Sequence, residues 1–254
     1  MEDLLRKVPK TKKELKIYSV LINKIVSWLK QKINSSNSKG ITLGISGGID
    51  SSTLALISEL AFPNGCKFYY LKTENDSYTE SHIKLLQLKL KTKIEIINLS
   101  SCFKKIVKIA NIINQGSIAN TKSRLFMTTL YGLAFQNKNL VLGTDNFDEY
   151  YLGYFTKYGD GGCDLLPFAN IKKSDVYAMA SLLGVPQEII DKKPSATLYK
   201  NQYDEEELGF KYSDFEKYLL DPTSVSGELI KKIKNIHKQT EHKRKAIPKG
   251  PKLK

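Results

Sequence analysis

Apolar residues recur every three or four positions from Leu15 through Tyr18, Leu21, Ile22, Ile25, Val26 and Leu29 to Ile33. That spacing predicts an amphipathic helix, because side chains three and four apart share one face. Thr11-Lys12-Lys13-Glu14 just ahead is a capping-box pattern, and the polar run Asn34-Ser35-Ser36-Asn37-Ser38 closes the helix. The period then changes. Ile41, Leu43 and Ile45 read as a short buried strand, and Leu54 to Ala61 as the opening of a buried helix. Pro63-Asn64-Gly65 marks a turn before a second strand, Cys66 to Leu71. Ser77-x-x-Glu80 is expected to cap a helix carrying Ile83, Leu86 and Leu90, and Ile94, Ile96 and Leu99 alternate as a third strand. Helices are expected over about 102–113 and 119–136, and Asn139 to Gly143 reads as a fourth strand.

Strands alternating with helices imply an α/β protein: a doubly wound parallel sheet flanked by helices, here with a helical C-terminal extension. No internal repeat or linker interrupts the pattern. A single domain is therefore expected over residues 1–254, with an α/β core over about 40–200 and an extension and basic tail over about 201–254. In such sheets ligands bind beyond the carboxyl ends of the strands, where strand order reverses. The loops after the first and fourth strands should then face one crevice.

Between the first strand and its helix stands Gly44-Ile45-Ser46-Gly47-Gly48-Ile49-Asp50-Ser51-Ser52. Glycine permits positive φ and close approach of backbone to an oxygen, and a helix's first N–H groups are unpaired, so strand, paired glycines and helix start make an anion site. No lysine follows, as a Walker-type phosphate loop requires. Asp50 beside a bare phosphate calls for a divalent cation between them. The plainer alternative is a glycine-bearing turn with a Ser/Asp helix cap.

Composition narrows the class. The 254 residues are 41% hydrophobic and 26% charged, which fits a globular chain with one substantial core. No apolar run approaches the roughly 18 residues of a membrane span, the N-terminus lacks the shape of a signal peptide, and Cys66, Cys102 and Cys163 form no C-x-x-C pair. A cytoplasmic protein without structural zinc or disulfides is expected. The net charge of +14 suggests nucleic acid, but ten of the 40 Lys and Arg lie in residues 231–254 against one of the 26 acidic residues. That segment thus carries +9, leaving +5 for the rest, so the basic tail alone does not argue for RNA.

Residues 143–164 read GTDNFDEYYLGYFTKYGDGGCD, too polar and glycine-rich for a core element. Tyr158-Gly159-Asp160-Gly161-Gly162 cannot be helical and has the character of a loop that closes over a ligand. If Asn146 caps a short helix, the Glu149 carboxylate turns back toward Asp50, and the two complete a hard-oxygen site for Mg²⁺. The bland reading of Glu149 is a solvated helix face.

Ser46-Gly47-Gly48-x-Asp50-Ser51 matches the loop of the ATP pyrophosphatases, which cleave ATP between the α and β phosphates. With GTDNFDEYYLGYFTKYGDGGCDLLPFANIKKSDVY, KKPSAT, DEEELGF and TEHKR added, the chain resembles ammonia-dependent NAD synthetases from about Ile22 to Arg244. The resemblance implies a Rossmann-like fold of ATP pyrophosphatase type and a C–N-forming, AMP-forming ligase. The carboxylate of nicotinic acid adenine dinucleotide would attack the ATP α-phosphorus, and ammonia would then displace AMP. It also implies a homodimer. A glutamine-hydrolysing domain is not expected in a chain of this size, so free ammonia is the expected donor. The competing class is a tRNA-modifying ATP pyrophosphatase that adenylates a base; a weaker third is a non-catalytic nucleotide-binding module.

Carried over by position, the resemblance assigns Gly44, Ile45, Ser46, Gly47, Gly48, Ile49, Asp50 and Ser51 to ATP, together with Thr144, Lys173 and Ser195. Asp50 and Glu149 would hold magnesium. Arg124, Lys157, Asp164, His242 and Lys243 would hold the dinucleotide. Asp50, Lys173 and Asp164 are the expected catalytic set, with Asp164 or Asp160 receiving the ammonium proton. Mg²⁺ and Lys173 would offset repulsion between a carboxylate and a polyanion. Two positions depart from relatives. Lys32 stands where an aromatic residue often contacts substrate, and the chain after Arg244 is basic where relatives are often acidic and aromatic. His82 and His237 read as surface histidines, and Cys163 carries no mark of a nucleophile.

Overall fold

The computed structural model describes residues 5–199 and 202–252. Its strands are β1 Gly40–Gly44, β2 Cys66–Lys72, β3 Ile94–Asn98 and β4 Asn139–Leu142. The longer helices are α1 Lys12–Ser35, α2 Ile49–Ala61, α3 Ser77–Gln87, α4 Ser100–Ile109 and α5 Gln115–Asn137. After β4 come α6 Phe147–Leu152, α7 Lys173–Leu183, α8 Gln187–Asp191, α9 Asp204–Leu208, α10 Tyr212–Leu220, α11 Gly227–Gln239 and α12 Glu241–Arg244.

Every pairing in the described sheet is parallel, in the order β3-β2-β1-β4. Ile41 and Leu43 are fully buried, as a central parallel strand covered on both faces requires. The chain runs outward from β1 through β2 and β3, then returns to add β4 on the other side. The reversal therefore lies between the carboxyl ends of β1 and β4, where such folds open a ligand crevice.

The Thr11–Glu14 capping box forms, and α1 turns Tyr18, Ile22, Ile25, Leu29 and Ile33 into the core. Three boundaries differ from the sequence expectation. Asp76, not Ser77, caps α3, its carboxylate accepting Thr79 N–H at 3.0 Å. Leu99 lies beyond β3 and precedes α4, which starts at Ser100 and ends at Ile109 before Asn111 takes φ +49°. Helix α5 starts at Gln115 because Asn114 caps it through Ser117 N–H. Toward the C-terminus, Ile233 of α11 is fully buried, and the Lys243 ammonium donates to the carbonyls of Gly153 and Phe155 at 2.7 and 2.6 Å. The basic segment is thereby fastened to the chain beyond α6.

Candidate active site

Gly47 takes φ +71°, a conformation that favours glycine, and the loop swings from β1 into α2 over the four residues 45–48. Ser51 Oγ donates to the Gly48 carbonyl at 3.2 Å and shares a hydrogen bond with Ser46 Oγ at 3.0 Å, so the hydroxyls brace the turn from inside. Gly48 occupies the N-cap without a side-chain acceptor, which leaves first-turn N–H groups of α2 available to an anion. His82 supports the loop from α3. It is 2% exposed, and its Nδ1 lies 3.3 Å from the Gly47 carbonyl oxygen, so the packing of α3 against the loop overturns the expectation of a surface histidine. His237 is likewise not free at the surface: its ring stacks on Tyr151, with Nδ1 2.7 Å from the Tyr151 carbonyl.

The second wall is the turn from β4 into α6. Asn146 caps α6 by accepting Asp148 and Glu149 N–H at 3.1 and 3.2 Å, and Glu149 Oε2 accepts Asn146 N–H at 3.2 Å. This box turns the Glu149 carboxylate inward. The Asn146 amide also donates to Asp50 Oδ1 at 3.0 Å, a direct tie between the two walls.

Lys173, the first residue of α7, lies between the acids. Its Nζ donates to Asp50 Oδ2 at 2.5 Å and to Glu149 Oε1 at 3.1 Å. Burial works against its ammonium, but the two carboxylates overcome that and hold its pKa well above the ordinary lysine value. Burial also pushes the Glu149 carboxyl up to about 7 despite Lys173. Asp145, 4% exposed, is driven well upward by burial and by Asp160, Glu149 and Asp50, and its Oδ2 has no hydrogen-bond partner among the described residues. Carboxylates outnumber the cation placed among them.

A cavity of about 260 Å³ opens at this junction. Gly44, Ile45, Ser46, Gly48, Ile49, Asp50, Thr144, Glu149, Lys173 and Ser195 line it, while Gly47 and Ser51 support the wall from behind. Arg124, Lys157, His242 and Lys243 meet just beyond it: Arg124 Nε donates to the Lys157 carbonyl at 3.2 Å, and Lys157 Nζ to the His242 carbonyl at 2.6 Å. Asp160 joins the two regions. It lines the cavity and accepts Ser123 Oγ–H at 2.6 Å and Thr156 N–H at 3.1 Å. Asp164 stands apart: Val141 N–H and Tyr131 O–H donate to its carboxylate at 2.8 and 3.0 Å, so it fastens β4 and is not among the cavity's lining residues. Sequence reasoning passed over Asp145 and the tie made by Asn146 to Asp50, and it placed His82 at the surface. The GTDN run after an apolar strand was the available signal for the first two.

A parallel sheet with its crevice at the β1/β4 reversal, a lysine-free glycine loop and an acidic pair beyond it define the ATP pyrophosphatase fold. The sequence profile of the NAD synthase family matches residues 21–247, and the chain belongs to that family. It is 41% identical to the NH(3)-dependent NAD(+) synthetase of Mycoplasmopsis pulmonis, over 93% of this chain and 92% of the relative. Identity to the enzyme of the same name from Mesoplasma florum is 39%, over 91% and 95%. Among solved structures, NMN synthetase from Francisella tularensis superposes with a TM-score of 0.83 at 31% identity, covering 92% of this chain and 98% of that one. The NH3-dependent NAD synthetase of Campylobacter jejuni gives 0.79 at 25%, over 92% and 99%. These relatives mark a ligase and give no support to the RNA-modifying alternative.

Proposed function

We propose that this protein is an ammonia-dependent NAD synthetase. The carboxylate of nicotinic acid adenine dinucleotide attacks the ATP α-phosphorus, its oxygen forming the new P–O bond as pyrophosphate leaves. Ammonia then adds to the acyl carbon of the adenylate, AMP departs with the C–O bonding pair, and the amide remains after loss of a proton. The convergence of Asp50, Asn146, Glu149 and Lys173 at the mouth of the glycine loop carries this reading.

Within it, Ser46, Gly48 and the first turn of α2 receive the polyphosphate, with Thr144 and Ser195 along the same cavity wall. Lys173 supplies positive charge near the reacting phosphate. Asp50 and Glu149 would hold Mg²⁺. Their oxygen donors suit it, the local acidic surplus and the unpartnered Asp145 Oδ2 favour a cation, and magnesium takes one or two carboxylates with phosphate oxygens completing its shell. When bound it would neutralise polyphosphate charge. Arg124, Lys157, His242 and Lys243 hold the dinucleotide. Asp160, facing the cavity, is better positioned than Asp164 to attract ammonium and take its proton; Asp164 contributes by fixing the loop to β4.

The wider reading is a cytoplasmic homodimer acting as one folded unit. One core cluster runs from Leu5 to Ile233, which supports the single unit. Helix α1 turns Tyr18, Ile22, Ile25, Leu29 and Ile33 into that core and leaves Ile17 and Val20 exposed, an apolar edge that favours pairing through this helix. Pyrophosphate exchange into ATP that depends on the dinucleotide and proceeds without ammonium tests the adenylation step. Running it beside nicotinic acid mononucleotide separates the dinucleotide reading from a mononucleotide one, the kind to which the name of the Francisella NMN synthetase points. Exchange with neither substrate would remove the synthetase assignment.

A further inference from the structure

Five lysines line the cavity, and they differ in what they touch. Lys72 pairs with Glu80 at 2.8 Å, Lys122 with Glu74 at 3.1 Å, and Lys173 with Asp50 and Glu149. Lys193 sits 5.2 Å from the centre of the Tyr203 ring and keeps contact with solvent. Lys192 is different. Its Nζ is shut off from solvent yet has no hydrogen-bond partner among the described residues, with the Tyr78 ring at 5.9 Å beneath it. An ammonium removed from water without an acceptor is costly, and its burial lowers the Lys192 pKa although Asp76 and Asp204 pull the other way. Such an arrangement persists most readily where an anionic ligand completes it.

The position of Lys192 says which anion. It lines the same cavity as Ser46, Gly48, Asp76, Thr79 and Ser195. The Tyr78 ring beneath Lys192 packs on His82 with ring centres 4.5 Å apart, and His82 bears on the Gly47 carbonyl, so the ammonium belongs to the glycine-loop end of the site. The loop itself has no lysine, and Lys173 is already neutralised by two carboxylates. Without Lys192, a triphosphate there would meet no uncommitted buried cation at its far end among the described residues.

We propose that Lys192 is the residue that binds the β and γ phosphates of ATP and holds the pyrophosphate they become. The inference rests on the ATP site argued above. When the α–β bridging bond breaks, its electron pair stays with pyrophosphate, and a cation fixed at that end stabilises charge as it develops. Lys192 thereby takes the place of the lysine that Walker-type loops carry within the loop, supplied instead by the segment leading to Ser195.

Calorimetric titration with inorganic pyrophosphate and, separately, AMP, each with magnesium present, tests this on the full chain. Lys192→Met should weaken pyrophosphate binding by at least about tenfold, as expected for losing a charge-assisted contact, and leave AMP affinity unchanged. Lys192→Arg should restore most of the pyrophosphate affinity. Retained AMP binding shows that the Met variant is folded. Equal pyrophosphate affinity in wild type and Lys192→Met, or parallel loss of both ligands that Arg does not rescue, would overturn the assignment. Failure of the wild-type protein to bind either ligand would instead overturn the nucleotide site itself.

Discussion

Lys173 Nζ and Asp50 Oδ2 lie 2.5 Å apart across 123 positions of sequence, and the same ammonium reaches Glu149 at 3.1 Å. The lysine side chain is 3% exposed, so the contact is a buried one. Removing one member of a buried ion pair strands the others, at a cost of about 3–5 kcal/mol. Lys173→Met should lose that much stability in urea unfolding and abolish dinucleotide-dependent pyrophosphate exchange. A variant as stable as wild type would show that Asp50 and Glu149 do not depend on this lysine.

Asn146 performs two tasks that a pair of substitutions separates. Its side-chain oxygen caps α6, and its amide holds Asp50. Asn146→Asp keeps the cap acceptor but removes the donor, while Asn146→Ala removes both and adds a capping cost of about 0.5–2 kcal/mol. Both should raise the half-saturating magnesium concentration by about 10–100-fold, as loss of a ligand-orienting contact does. Only the Ala variant should melt clearly lower. Equal magnesium dependence in Asn146→Asp and wild type would argue against the tie to Asp50.

Much of this arrangement is legible in the sequence because it depends on local rules. The glycine loop follows from a strand, paired glycines and a helix start, and the inward turn of Glu149 follows from an Asn-x-x-Glu cap. What stays hidden depends on distant partners. Nothing around His82 announces that α3 will press it against Gly47, and nothing in Asp-Lys-Lys-Pro distinguishes Lys192, with its buried ammonium, from Lys193 beside it. The partners of Asp164 are hidden for the same reason: its neighbours in sequence are ligand-loop glycines, while its carboxylate accepts from Val141 N–H and Tyr131 O–H.

His82 gives the loop a pH dependence with a definite sign. Burial lowers its pKa first, Lys192 adds to that, and Asp76, Glu188 and the Gly47 carbonyl oppose it. A histidine whose folded pKa is depressed contributes stability above its unfolded value, about 6.5, and loses it as pH falls through the folded value. The melting temperature should therefore drop on acidification from about pH 7 to about pH 5 by more in wild type than in His82→Gln, which cannot titrate. Superimposable curves would remove His82 from the account.

Gly159 tests the placement of Asp160. A Cβ built at Gly159 would fall 2.1 Å from Ser123 Oγ, the hydroxyl that donates to Asp160 at 2.6 Å. Gly159→Ala should displace that hydroxyl and raise the half-saturating ammonium concentration, with pyrophosphate exchange, which needs no ammonium, less affected. An effect on exchange as large as on amidation would mean that the loop serves the dinucleotide and not ammonia.

The central claim is that one crevice joins ATP, a dinucleotide carboxylate and ammonia. Incubation with ATP, magnesium, nicotinic acid adenine dinucleotide and ammonium, followed by separation of the products, measures it most directly. NAD and AMP should appear in equal amounts, and omission of any one substrate should abolish NAD. AMP release without the dinucleotide, or ATP consumption with no NAD formed, would contradict it.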